Sequence, residues 1–486
     1  MERIGVVDIG SNTVRLVVYD IASHLPVPMF NEKASCRLGA GLPETGKLNS
    51  EGVEQAVISI DRFVRLSRAM SVDALSLVAT AAVRDAEDGP AFTKRIEDLC
   101  NVEIEVLSGA EEAQLAAIGV MNGVPEANGI VCDLGGGSLD LVHVEGGTCL
   151  RQDSMPFGHL RLHELSGGKV GKAAKLVESA IQKADWVSGT RGQTIYAVGG
   201  SIRALARLHI EQTNYPLHIV DNFTMRRNDA KQLAELVSNL SAETLRRIPS
   251  VPSKRVETLP MAAVVFNVLL DAFAPKSIVF SAFGMREGKM ITMIPKRVRA
   301  KDPLIAACTA MEPQLGRFSL SGKELETWMR PLFKGASERS KRNRLAACLL
   351  SDIGWHEHPD YRAEHAFLRV LRLPFAGLQH ADRIFIATAM YVRYGGNSSD
   401  ELPSAVLPLV SDEARADAEL TGFALRLGHR LAGSAPGLLS NMPIKLSKGL
   451  LTLSAEKSAA LINGEAVERR VKNLAQSLGV EFKIEL

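Results

Sequence analysis

In this chain neither sign of charge is in excess, no cysteines are paired at a zinc-binding spacing, and no apolar run is long enough to cross a bilayer. The 57 Lys+Arg against 55 Asp+Glu leave +2, so the usual signature of a nucleic-acid or membrane-surface protein is missing and any basic site is local. Six cysteines (Cys36, Cys100, Cys132, Cys149, Cys308, Cys348) form no C-x-x-C pair, which excludes a zinc knuckle and a disulfide framework and fits a reducing cytoplasm. The apolar stretch MAAVVFNVLLDAF at 261–273 is broken by Asn267 and Asp271, and the chain enters a strand at Ile4 with no hydrophobic signal region before it. Aromatic residues are only 5%, which argues against a base-stacking site. The stretch LLSDIGWHEHPDYRAEH carries Asp352, His356, His358 and His365 but no H-E-x-x-H spacing, so its histidines are read as structural.

What the chain does have is a repeat. IGVVDIGSNTVRLVVY at 4–19 returns 125 positions later as GIVCDLGGGSLDLVHV at 129–144. Each copy is an apolar strand, an Asp-x-Gly turn and a second strand, and Asp8 aligns with Asp133, Gly10 with Gly135 and Leu16 with Leu141. Turns of this kind present backbone N–H groups to an anion where no β-carbon intervenes. Two copies predict a duplicated fold whose halves grip one phosphate-bearing ligand between them.

With 486 residues and 46% hydrophobic content, the chain is long enough for about three or four domains with ordinary cores. Alternating strand and helix periods run through 1–125 and restart over 126–300, predicting two α/β domains. The basic, proline-marked stretch PKRVRAKDP at 295–303 reads as a linker. A helical period then dominates an all-α domain over 303–435, and a small α+β domain closes the chain over 436–486. ERSKRNR at 338–344 and KRVRAK at 296–301 are basic runs that are either solvated faces or guides for a long polyanion.

Asp8 and Asp133 open their turns at strand ends, where a carboxylate either braces its own turn or faces a phosphate through hydrated magnesium. The second copy favours the functional reading. Ser11, Asn12, Gly135, Gly136, Gly137 and Ser138 would then donate N–H and hydroxyl groups to the phosphates. In SGAEEAQL, Ser108 is placed as an N-cap and Glu111 completes a capping box. Glu112 points about 100° away around the helix, and it either complements the helix dipole or takes a proton from an attacking water. In AVGGSIRAL, Gly199, Gly200 and Ser201 form a turn opening a helix, with Ser201 as N-cap and Arg203 in the first turn. Arg286 in SAFGMREGKM and Arg84 in ATAAVRDA also follow strand ends, where open α/β sheets bind ligands, so phosphate contact is preferred to a surface ion pair.

Taken together, DIGSNTVRLVVYD, ATAAVRDA, SGAEEAQL, DLGGGSLDL, AVGGSIRAL and SAFGMREG closely resemble the exopolyphosphatase and guanosine pentaphosphate phosphohydrolase (Ppx/GppA) family, in that family's order over residues 4 to about 290. The resemblance implies two actin-like (ASKHA, ribonuclease H-like) ATPase-type domains with the site between them. It also implies Mg2+ dependence, a homodimer, and release of terminal phosphate from inorganic polyphosphate, guanosine pentaphosphate or both. By position, Glu112 matches the family's catalytic glutamate and Asp8 and Asp133 its two loop carboxylates. Asp140 stands where members carry Glu in GGGSTEL and Leu139 replaces Thr, so this metal-side carboxylate is one methylene shorter. The C-terminal helices resemble the HD-type metal-phosphohydrolase module, but Ser351 in SDIG stands where a histidine ligand belongs, which implies a structural role or a wall for the substrate channel.

The expected function is therefore a cytoplasmic exopolyphosphatase with Glu112 as general base. The alternatives are a guanosine pentaphosphate hydrolase, an ATP-gated assembly protein of the same fold, and a weakly catalytic polyphosphate sensor.

Overall fold

A computed structural model of the chain describes residues 2–21, 27–318, 320–455, 459–462 and 464–485. Ser319 and Leu486, which fall within stretches read as helical and as the last strand, lie outside the described residues. The chain forms two compact units, 1–300 and 301–486. No described helix is long and apolar enough to cross a membrane.

The first unit is built on two sheets of the same plan. β1 (Arg3–Ile9), β2 (Thr13–Asp20) and β3 (Val27–Ser35) form an antiparallel meander, and β4 (Ala74–Ala79) and β5 (Ile104–Val106) add to β1 in parallel, giving the order β3-β2-β1-β4-β5. In the second sheet β6 (Gly129–Leu134), β7 (Leu139–Glu145), β8 (Thr148–Met155), β9 (Thr194–Val198) and β11 (Ser277–Phe280) repeat that order, and the antiparallel β10 (Phe223–Arg226) extends the edge. This shared order is the ribonuclease H-like plan of the actin-like ATPases.

The period-two alternation of a strand decides where each turn's carboxylate points. On β1, Ile4 and Val6 face a core shared with the Gly109–Gly123 and Met285–Met293 helices, whereas Val7 and Ile9 face the Ser50–Ala69 helix. On β6, Val131 faces the Gly109–Gly123 helix and Ile130 and Cys132 the outer core. Asp8 and Asp133 continue the inward series on their strands and are carried toward the space between the sheets.

The Gly109–Gly123 helix is wedged between the lobes: Leu115 and Ala116 pack on the first sheet, and Ala113, Ala117 and Val120 on the second. It crosses the Met285–Met293 helix at backbone contact, since a β-carbon at Gly119 would collide with the Gly284 carbonyl and one at Gly288 with the Leu115 carbonyl. The latter helix is fixed to the first sheet by Tyr19, whose hydroxyl donates to Glu287 (2.9 Å), by Arg286 on Asp8, and by Lys289 on Glu105.

Some elements differ from the sequence expectation. The sequence does not foresee β8, whose pattern is largely exposed and polar, or β10, which is four residues long. The 261–273 stretch belongs to a helix, Leu259–Phe273, that is apolar on every side because it lies in the second lobe's core and so shows no amphipathic period. Part of the expected linker is a short helix, Lys296–Arg299, and Asp302 caps the next helix by accepting from the Ile305 amide (3.0 Å).

The second unit is helical, followed by the sheet β12 (Ile444–Ser447), β13 (Leu450–Ser454) and β14 (Glu481–Glu485) and the Glu465–Leu478 helix. The ERSKRNR run is not a free positive face: Arg339 pairs with Asp382, Lys341 with Glu338 and Arg342 with Asp302. Asp352 of SDIG is buried between Arg317 and Arg393, each at 3.1 Å. Ser351 Oγ meets His429 Nε2 at 2.8 Å, and burial, with Arg393 and Arg317 nearby, holds His429 neutral, well below its ordinary pKa. Two guanidiniums already neutralise the carboxylate that an HD-type centre would offer to a metal.

Asp352→Asn should therefore leave two guanidiniums facing each other without a counter-charge. We expect a loss of about 3 kcal/mol of stability, read as a lowered denaturation midpoint in equilibrium unfolding.

Candidate active site

The two glycine turns meet face to face. Ser11 of the first turn packs against Gly136 and Gly137 of the second, where a β-carbon on Gly137 would lie 2.7 Å from Ser11 Oγ. A cleft of about 580 Å³ opens beside this contact. Asp8, Ser11 and Asn12 line it from the first sheet, and Asp133, Gly135, Gly136, Gly137, Ser138 and Asp140 from the second. Glu112 enters from the wedged helix, Gly199, Gly200 and Arg203 from the turn after β9, and Arg286 from the Met285–Met293 helix.

Strand register sets the carboxylates. Asp133 on β6 is paired with Asp140 on β7, and the equivalent pair of the first hairpin is Asp8 with Arg15. The duplication is thus charge-asymmetric, an acid–acid pair on one side and an acid–base pair on the other. Asp140 is pinned by Ser138, whose hydroxyl donates to Oδ2 (3.1 Å), and by Ser154, which donates to Oδ1 (2.5 Å). Leu139 is fully buried in the second lobe's core.

Burial and crowding act on these acids in the same direction. Burial pushes Asp133 up to about 6 and, with Asp133 beside it, Asp140 up to about 7, against the hydrogen bonds from its serines. Glu112 is raised well above the usual carboxylate range by burial and by Asp140, which outweigh the Arg84 guanidinium 3.1 Å away. The capping box forms as expected: Ser108 Oγ accepts from the Glu111 amide (3.2 Å) while Glu111 accepts from the Ser108 amide (2.8 Å), leaving Glu112 to face the cleft.

The cations are crowded too. Asp8 accepts from Arg286 at 3.0 Å, and Arg286 Nε is buried without a hydrogen-bond partner. Burial and Arg286 bring Arg15 down to about 10 and lower Arg203 as well. The cleft holds acids that need a cation beside cations that need an anion.

Two expected phosphate contacts lie elsewhere. Arg84 does not line the cleft but stands behind Glu112, and Ser201 is fully buried, with its hydroxyl accepting from Arg255 (2.9 Å). Ser201 is not the N-cap of its helix: Gly199 is, at φ 107°, where its missing β-carbon also lets the turn approach the Leu134 carbonyl. Lys33, Arg37, Arg161 and Arg255 line the cleft unforeseen, as does Arg15. The repeat alignment, which sets Arg15 opposite Asp140, could have flagged the latter; Arg255 sits in a short 3-10 turn with no local signal. His159 donates from Nδ1 to the Gly135 carbonyl (2.7 Å), and burial and Arg255 hold its pKa down to about 3, so it is neutral.

Among the described residues no group of three or more His, Cys, Asp or Glu is arranged to hold a metal by itself. The arrangement fits a hard, hydrated cation that takes a carboxylate or two and completes its sphere with water and phosphate oxygens.

Known proteins share this chain's fold and motifs. The Ppx/GppA phosphatase family pattern matches residues 17–297, and the pattern described as exopolyphosphatase, C-terminal, matches 323–484. Exopolyphosphatase 1 of Mycobacterium tuberculosis is 28% identical over 308 residues, 60% of this chain and 87% of that protein. The structure of an exopolyphosphatase from Cytophaga hutchinsonii superposes with a TM-score of 0.55 at 22% identity, over 60% of this chain and 97% of that one. The Aquifex aeolicus member of the Ppx/GppA family superposes with a TM-score of 0.52 at 24% identity, over 60% and 97%.

Because Asp133 and Asp140 bind protons more tightly folded (about 6 and about 7) than at their ordinary value of 3.8, the metal-free folded state holds more protons between about pH 4 and 7. Their contribution to stability is therefore full below that window and lost as pH rises through it. In EDTA, the stability of wild type relative to Asp140→Asn should fall as pH is raised from 4 to 7, as measured by chemical denaturation.

Proposed function

We propose that this chain, which belongs to the Ppx/GppA phosphatase family, is an exopolyphosphatase that hydrolyses the terminal phosphate of inorganic polyphosphate with the help of magnesium. The observation that carries this reading is the meeting of two glycine turns over a cleft lined by buried acids on one side and several guanidiniums on the other. A polyanion with a divalent cation relieves both. No Phe, Tyr or Trp is among the described lining residues, which favours a chain of phosphates over a nucleotide needing a stacking platform.

In this mechanism the turn amides and the Ser11 and Ser138 hydroxyls cradle the terminal phosphates, and Arg15, Arg203, Arg255 and Arg286 balance their charge. Asp133 and Asp140, with Asp8 through the oxygen that Arg286 leaves free, would hold Mg2+ through its water. Bound there, the ion would neutralise phosphate charge. Glu112 orients the attacking water and accepts its proton, and the Arg84 guanidinium favours the ionised form that this role requires. Burial works against that form, so the rate should climb with pH through the Glu112 titration. Asp352, held by two arginines, supports reading the HD-like helices as structural rather than as a second centre. Six free cysteines support a reducing, cytoplasmic setting.

Glu112→Gln should lower phosphate release from long polyphosphate by about 10²–10⁴-fold, while polyphosphate binding by filter retention stays within about threefold, the margin of a single lost contact. Parallel assays with guanosine pentaphosphate and ATP, with and without magnesium, decide the substrate. Faster release from the pentaphosphate would replace the polyphosphate reading, and tight ATP binding with no polyphosphate breakdown would overturn it.

A further inference from the structure

A chain of ion pairs crosses from one lobe to the other and ends on Glu112. Arg161, which reaches the rim of the cleft from the His159–Ser166 helix after β8, donates from Nη1 to Asp85 Oδ2 (2.6 Å). Asp85, at the end of the Ala81–Asp85 helix after β4, accepts on its other oxygen from Arg84 Nε (3.2 Å). Arg84 turns Nη1 to the Leu107 carbonyl and to Glu112 Oε2, both at 3.1 Å. The first residue of this chain belongs to the second lobe and the next two to the first.

The pairs are partly shielded, with side-chain exposures of 25% for Arg161, 29% for Asp85, 24% for Arg84 and 13% for Glu112. They are screened less than surface pairs and hold geometry better. At the Arg161 end the link continues through backbone. The Leu160 and Arg161 amides donate to the Gly136 carbonyl (3.1 and 3.2 Å), and a β-carbon at Gly158 would collide with the Gly136 backbone. The helix that carries Arg161 is thus locked to the phosphate turn. Glu164 on the same helix accepts from the Gly41 amide at 3.3 Å, a second contact between lobes.

We propose that Asp85 and Arg161 are positioning residues: their ion pair latches the cleft and holds the Arg84 guanidinium against Glu112, so that seating a phosphate on the Gly135–Gly137 turn and placing the base are one event. The inference rests on the reading of Glu112 as the base. Arg161 occupies one Asp85 oxygen, which keeps Asp85 from drawing Arg84 into a bidentate pair and away from Glu112. When the lobes part, Asp85 has only Arg84 left to bind, and Glu112 loses its partner.

The test combines turnover with a distance. Arg161→Gln and Asp85→Asn should each lower kcat on polyphosphate about tenfold with KM changed less than about threefold, and the double variant should be no worse than either single one, because coupled residues do not add. Arg161→Lys, which keeps the charge, should recover part of kcat. Independently, spin labels at Lys47→Cys and Lys169→Cys, with Cys149→Ser to remove the partly exposed thiol, report the separation of the lobes by pulsed dipolar spectroscopy. Arg161→Gln should shift the distribution to longer distances. Additive losses, or a rise in KM for Arg161→Gln that Asp85→Asn does not share, would show Arg161 touching substrate directly and overturn the latch. So would an unchanged distance distribution. The distance arm needs no turnover, so it judges the latch separately from the polyphosphate reading.

Discussion

The backbone contact between the Gly109–Gly123 and Met285–Met293 helices fixes everything else in the first unit. Gly119 and Gly288 let the two helices touch without side chains between them. Each sheet then packs its inward face on this spine, which leaves the Asp8 and Asp133 turns opposed across a narrow gap. A side chain at either glycine would push the helices apart and, through Tyr19–Glu287 and Arg286–Asp8, move the first turn away from the second. The cleft is a consequence of how closely two helices approach.

Within that frame the site is built from charges that only partly satisfy one another. Burial raises the proton affinity of Asp133, Asp140 and Glu112, with Asp133 adding to Asp140 and both adding to Glu112, while burial and Arg286 lower Arg15 and Arg203 a short distance away. Folding pays for this strain through the two large cores behind the sheets. Such a site is pre-organised for a ligand carrying both signs, a phosphate chain with its cation. The shortened acid at Asp140 is held in place by serines on either side of it, so its geometry does not depend on the length of the side chain alone.

The sequence showed the turns, the strands beside them and the capping box clearly, because those features rest on local rules: strand alternation, glycine conformations and side chain to backbone hydrogen bonds. It did not show β8, whose exposed polar pattern looks like loop, although Ser154 on it pins Asp140. Nor did it show Arg255, which reaches the cleft from an irregular turn by tertiary packing alone. Arg84 and Ser201 lie beside the cleft rather than on its lining, since a motif fixes where the backbone goes and not which way a long or buried side chain turns. The basic run at 338–344 looked available for a polyanion because its partners Asp302 and Asp382 are distant in sequence.

One polyanion gripped by both turns at once is the event on which the chemistry of this cleft depends. A crystal structure of the Glu112→Gln protein with inorganic tripolyphosphate and magnesium tests it most directly. We expect phosphate oxygens within hydrogen-bond distance of amides or hydroxyls from both the Gly10–Asn12 and the Gly135–Ser138 turns, with the ion between phosphate and the Asp133 side. Phosphate bound to one turn only, or seated outside the cleft, would contradict it.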